Sequence, residues 1–129
     1  MSLVFQSVRD TGELSRERVV IASHGPTRIG NYCLFALSNN LAVPGVTAGF
    51  HIPIGIWFPN LDLKDKDLVV VYSKVGQYRT KTSDHSKGTT HFFYLDSKDP
   101  IWSSEKIMLF GELKTWTHFA SYGDESLED

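Results

Sequence analysis

Cysteine is nearly absent from these 129 residues: Cys33 stands alone, so no internal disulfide can form and the disulfide-scaffold class is excluded. No apolar run reaches the roughly 18 residues that a transmembrane helix needs, so no membrane partner is expected. Charge of one sign is not in excess. The 13 basic and 15 acidic side chains leave a net charge of −2, without the dense basic stripe of a dedicated nucleic-acid binder. No long segment keeps a helical apolar period between its breakers, so almost no helix is expected. Met1-Ser2-Leu3-Val4-Phe5 lacks the charged and apolar regions of a signal peptide, which, with the lone cysteine, favours an intracellular setting.

What is present suits a packed globule. Hydrophobic residues make up 41% and aromatic residues 12% of the chain, enough to close one core without metals or disulfides. The length gives a single domain over residues 1–122, followed by a short acidic tail over 123–129. That tail holds four of the 15 acids, so the body carries 13 basic and 11 acidic side chains.

Short apolar stretches separated by turn residues run along the whole chain. Leu3 to Val8 alternates as an edge strand does, and Asp10-Thr11-Gly12 is a turn signal. A polar connection follows from Glu13 to Arg18. Arg18 to Ser23 is a β-branched strand stopped by His24-Gly25-Pro26, and Tyr32 to Leu37 is apolar on both faces, as an inner strand is. Residues 38–53 read as an irregular loop with an extended piece near Val46 to Ile52. Ile54 to Phe58 and Leu68 to Ser73 are further strands, the second carrying three consecutive valines. Lys74 to Lys87 turns polar, as a loop or loose hairpin. Thr89 to Leu95 is an aromatic strand, and Ile107 to Phe110 another. Gly111-Glu112 reads as a turn, and Lys114 to Phe119 as a closing strand. Seven to eight short strands spaced this way predict an all-β sandwich.

Several of these segments together resemble the lamin-tail domain, an immunoglobulin-like antiparallel β sandwich. The resemblance rests on Phe58-Pro59, Leu61, Leu63 and Asp67 leading into Val69-Val70-Val71-Tyr72-Ser73. It continues through His91-Phe92-Phe93-Tyr94-Leu95, Pro100, Ile101-Trp102-Ser103-Ser104 and Ile107-Met108-Leu109, with Gly30-Asn31-Tyr32 before them. It spans about residues 18–119 and is similar to bacterial or viral-type members. Residues 38–53 are longer than the family's compact hairpin, and Glu105-Lys106 replaces a common Gly-Asp. The resemblance implies an accessory or interaction module with no catalytic residues of its own, and a core containing Phe58, Tyr72, Phe93 and Trp102.

The residues able to carry chemistry are dispersed. The five histidines, His24, His51, His85, His91 and His118, have no metal-ligand spacing. Cys33 lies inside an apolar strand, where a thiol is a small buried hydrophobe. No Gly-x-Ser-x-Gly elbow or Gly-rich phosphate loop occurs, and the paired acids lie in turns or in the tail. No catalytic, metal or cofactor site is therefore expected. Trp57 and Trp116 fit either a core or an exposed stacking platform. The one local concentration of charge is the stretch with Lys74, Tyr78, Arg79, Lys81 and Lys87, whose cations and aromatic ring suit an acidic or phosphate-bearing partner. The expectation is thus a soluble, non-enzymatic interaction module with an unidentified protein or acidic macromolecule as its partner. The alternatives are anion or nucleic-acid binding through residues 74–87, or a structural subunit that assembles through edge strands.

Overall fold

The computed structural model describes residues 2–38, 51–83, 88–102 and 106–115. Among them the chain is almost entirely strand: β1 (Leu3–Arg9), β2 (Arg18–Ser23), β3 (Thr27–Arg28), β4 (Tyr32–Ser38), β5 (His51–Trp57), β6 (Asp62–Leu63), β7 (Leu68–Tyr72), β8 (Arg79–Thr82), β9 (Thr89–Tyr94) and β10 (Lys106–Glu112). The only helical element among the described residues is one 3-10 turn, Ile29–Asn31. The strands form a five-stranded sheet, β1-β2-β7-β9-β8, and a three-stranded sheet, β10-β4-β5. The short pair β3-β6 joins them at one end. This is the all-β sandwich that the alternation and turn residues predict.

One core lies between the two sheets. Leu3, Val19, Ile21, Val69, Val71 and Phe93 supply it from the larger sheet, and Tyr32, Leu34 and Ala36 from the smaller. Phe58, Ile101 and Trp102 fill it from the connections. In a strand neighbouring residues point to opposite faces, so every second residue of β2, β7 and β9 is turned away from this core.

The pairings are antiparallel except one. β7 runs parallel to β9, with Val69 opposite His91 and Tyr72 opposite Tyr94. The chain leaves β7, crosses the end of β9, forms β8 at the sheet's edge and returns as a hairpin into β9. The crossover is held by Leu95 N–H to the Tyr72 carbonyl at 2.9 Å and Ser97 N–H to the Ser73 carbonyl at 2.8 Å. It passes so close over Tyr94 that a β-carbon on Gly76 would lie 2.4 Å from the ring. Only glycine fits there without displacing the tyrosine.

Four expectations are corrected. Gly111 and Glu112 are not a turn but the end of β10, paired with Cys33 and Tyr32. The stretch 74–87 contains a regular strand, β8, although Arg-Thr-Lys-Thr has no apolar face to announce it. Tyr72 is not in the core, because Val69 and Val71 take the inward positions of β7 and turn it outward. Lys114 and Thr115, the start of the closing strand expected over 114–119, form a bend instead. The rest of that strand with Trp116 lies outside the described residues, as does the acidic tail. Of the extended piece expected over 46–52, residues 51 and 52 belong to β5 and the others lie outside the described residues.

Candidate binding face and the buried polar ties beneath it

The outward face of the five-stranded sheet can be read row by row from the strand register. One row runs Arg9, Arg18, Tyr72, Tyr94. The next runs Ser7, Val20, Val70, Phe92, Arg79, and the third Val4, Ala22, Leu68, Thr90, Lys81. No row contains an acid. Alternation brings the rings of β7 and β9 side by side: Tyr72 stacks on Tyr94 with centroids 5.5 Å apart and on Phe92 at 6.3 Å. Cations cap this ladder. The Lys74 ammonium lies 4.7 Å from the Tyr72 centroid and the Arg79 guanidinium 4.2 Å from that of Phe92. Arg79 Nε also donates to the Tyr94 hydroxyl at 3.2 Å.

Arg18 is neutralised by Asp10 at 2.8 Å, and that guanidinium holds the Asp10 carboxyl below the usual carboxylate range. Among the described residues no carboxylate pairs with Lys74, Arg79 or Lys81. The face is therefore aromatic and apolar at its centre, with positive charge along the β8 side that no carboxylate pairs among the described residues.

Of the residues singled out from the sequence, Lys74, Arg79 and Lys81 meet on this face. Tyr78 does not join them: it lies over the opposite face, with its ring 5.0 Å from Phe93 and 6.1 Å from His91. Lys87, His85, His118 and Trp116 lie outside the described residues. Tyr72, Phe92 and Tyr94 were not assigned to binding by the sequence, and the parallel pairing that assembles them leaves no local signal.

Tyr78 ends a buried polar chain. Its hydroxyl lies 2.8 Å from His91 Nδ1, and His91 Nε2 lies 3.3 Å from Asp67 Oδ2. In the neutral imidazole, Asp67 as acceptor places the ring proton on Nε2, and the Tyr78 hydroxyl then donates to Nδ1. Asp67 also accepts the N–H groups of Lys64 at 3.0 Å and Thr89 at 2.9 Å, tying the β6–β7 turn to the start of β9. A β-carbon on Gly88 would lie 2.3 Å from the Lys66 carbonyl oxygen, so glycine lets these two segments meet.

The connectivity is that of a nucleophile, base and orienting acid, but the chemistry runs the wrong way for one. Burial, then the Asp67 charge, push the Tyr78 phenol above its ordinary value of 10.0, whereas an attacking phenolate needs it lowered. We read the chain as a clamp. Burial alone would raise the Asp67 carboxyl, but the Lys64 and Thr89 N–H groups and then His91 outweigh it and hold it below 3.8. The unfolded chain thus takes up a proton that the folded chain refuses. The resulting stability is present above the unfolded value and is lost as pH falls through the folded one. The gap in urea midpoint between wild type and Asp67→Asn should accordingly be full above about pH 5 and close as pH falls through the folded Asp67 value, which lies under 3.8. A gap of constant size would contradict this role.

The remaining candidates offer no convergent chemistry. Cys33 is buried, and burial pushes its thiol up from 9.0, away from a reactive thiolate. Among the described residues no three His, Cys, Asp or Glu side chains are grouped as a metal site. A cleft of about 320 Å³ is lined by Gly30, Trp57, Phe58, Pro59 and Asn60, none of them ionisable. Trp57 is 44% exposed on the outward face of the smaller sheet, with its indole donating to the Gly30 carbonyl at 2.7 Å.

No model of a known protein family matches the chain, and no curated protein is similar to it in sequence.

Proposed function

We propose that the chain is a non-enzymatic interaction module of lamin-tail type that docks an acidic protein partner on the outward face of its five-stranded sheet. The observation that carries this reading is the gathering of Lys74, Arg79 and Lys81 around the Tyr72–Tyr94–Phe92 ladder, with no carboxylate paired to any of them among the described residues. Cations over ring faces are held in place without being neutralised, so they keep their charge for a partner. The ring edges left facing outward are the electropositive part of an aromatic, which also favours carboxylates.

Single-stranded nucleic acid fits less well. Its binding modules stack bases on open ring faces, and here those faces are taken by neighbouring rings and by the two cations.

Fluorescence anisotropy with labelled poly-glutamate should show binding that weakens as salt rises. The triple reversal Lys74→Glu, Arg79→Glu, Lys81→Glu should weaken it about tenfold or more, while Lys64→Glu, away from the face, changes little. Equal binding by both variants, or binding indifferent to salt, would sink the proposal.

A further inference from the structure

The outermost strand of the sheet adds a second means of recognition to this face. β8 is exposed at all four of its residues and, among the described residues, pairs on one side only, with β9. Its phase is fixed by the Ser83 N–H, which donates to the Gly88 carbonyl at 3.1 Å and makes that pair a hydrogen-bonded one. Bonded pairs alternate along an antiparallel ladder. Lys81 with Thr90 and Arg79 with Phe92 are then the next bonded pairs, and Thr80 and Thr82 turn their N–H and C=O groups to the open edge.

Open edges invite added strands, and proteins usually blunt them with bulges, proline or charge. β1, at the other end of the sheet, carries a register break between Phe5 and Ser7, and the outer strand β5 contains Pro53 and a register break against β4. β8 has neither: its register against β9 is unbroken from Arg79 to Thr82 and it contains no proline. Among the described residues its only protection is Arg79 and Lys81, on one face. Those cations repel a basic strand, a second copy of β8 included, and favour an acidic one, because like charges across a sheet repel and opposite charges attract.

We infer that the partner is an extended acidic peptide that adds to β8 as a further strand, bonding to the backbone of Thr80 and Thr82 and setting its carboxylates beside Arg79 and Lys81. The inference rests on the proposed use of this face and specifies how the acidic partner is held. Its side chains must alternate: acids on the face shared with Lys74, Arg79 and Lys81, and uncharged β-branched residues on the face of Thr80, Thr82 and Tyr78.

The test uses the full chain and an end-blocked, labelled Glu-Val-Glu-Val-Glu peptide. Two versions carry N-methyl groups on alternate nitrogens, one for each edge of the peptide, and Gln-Val-Gln-Val-Gln and oligo-deoxythymidine serve as controls. The expected result is about tenfold or greater loss for methylation of one edge and none for the other, with Arg79→Glu/Lys81→Glu also losing binding. On the wild-type chain, saturating peptide should slow amide exchange at Thr80 and Thr82 while leaving the bonded amides of Arg79 and Lys81 unchanged. Binding that survives methylation of either edge but falls on charge reversal overturns strand addition and leaves the face proposal standing. Tighter binding of oligo-deoxythymidine than of the acidic peptide overturns the peptide as partner. No binding of peptide or poly-glutamate overturns both.

Discussion

Replacing Glu17 by alanine is expected to destabilise the fold by about 3–5 kcal/mol, since it strips several buried donors of one shared acceptor. Glu17 has 0% of its surface exposed. One carboxylate oxygen accepts the N–H of Gly12 at 2.9 Å and of Trp102 at 3.1 Å. The other accepts the N–H of Ile101 at 2.8 Å and the Ser73 hydroxyl. The alanine variant leaves the Ser73, Ile101 and Trp102 donors without a partner in the interior and that of exposed Gly12 to water, and each buried group costs roughly 1–3 kcal/mol if water does not reach it. Glu17→Gln should fall between, because the amide keeps one acceptor and turns its NH2 towards two donors. Urea denaturation measures both, and a loss below about 1 kcal/mol for the alanine variant would mean that the tie contributes little. The tie also bears on function. Ser73 opens the crossover that carries Lys74 over Tyr72, so loosening it should weaken acidic-peptide binding as well as stability.

Trp102→Ala is expected to cost a similar amount, about 3–5 kcal/mol, by leaving a cavity where the ring joins the two sheets. The side chain is 4% exposed and packs in the cluster with Ile101, Phe58 and Phe93. Its indole N–H is buried with no hydrogen-bond partner among the described residues. Trp102→Phe should therefore cost clearly less than the lost volume suggests, since it also removes an unpaired donor. An alanine variant within about 1 kcal/mol of wild type would place the ring outside the core. Because Glu17 holds the Trp102 backbone while the ring fills the core, the two alanine losses should combine to less than their sum.

The strands legible in the sequence are those with a face to bury. Arg18–Ser23 and Leu68–Tyr72 are dense in β-branched residues, and their bounds can be read almost to the residue. β8 is harder to read because Arg79, Thr80, Lys81 and Thr82 are all exposed; its backbone bonds to β9, not apolar burial, make it a strand. Gly111 suggests a turn, yet it sits in β10 with open space where a side chain would be. Tyr72 misleads for a different reason. Both faces of β7 are apolar, so alternation cannot show which one turns inward. The binding face is legible only in part: the cations are evident as a cluster, but the aromatic ladder exists only because β7 and β9 run parallel. Glu17 gives no signal at all, being one charge in the polar stretch between β1 and β2.

Docking of an acidic partner on the outward face of the five-stranded sheet is read out by amide shifts of the isotope-labelled chain during titration with poly-glutamate. The shifts should concentrate at Tyr72, Lys74, Arg79, Lys81, Phe92 and Tyr94 and collapse when salt is raised. Shifts centred instead on Cys33, Phe35, Trp57 and Leu109, across the outward face of the smaller sheet, would contradict it.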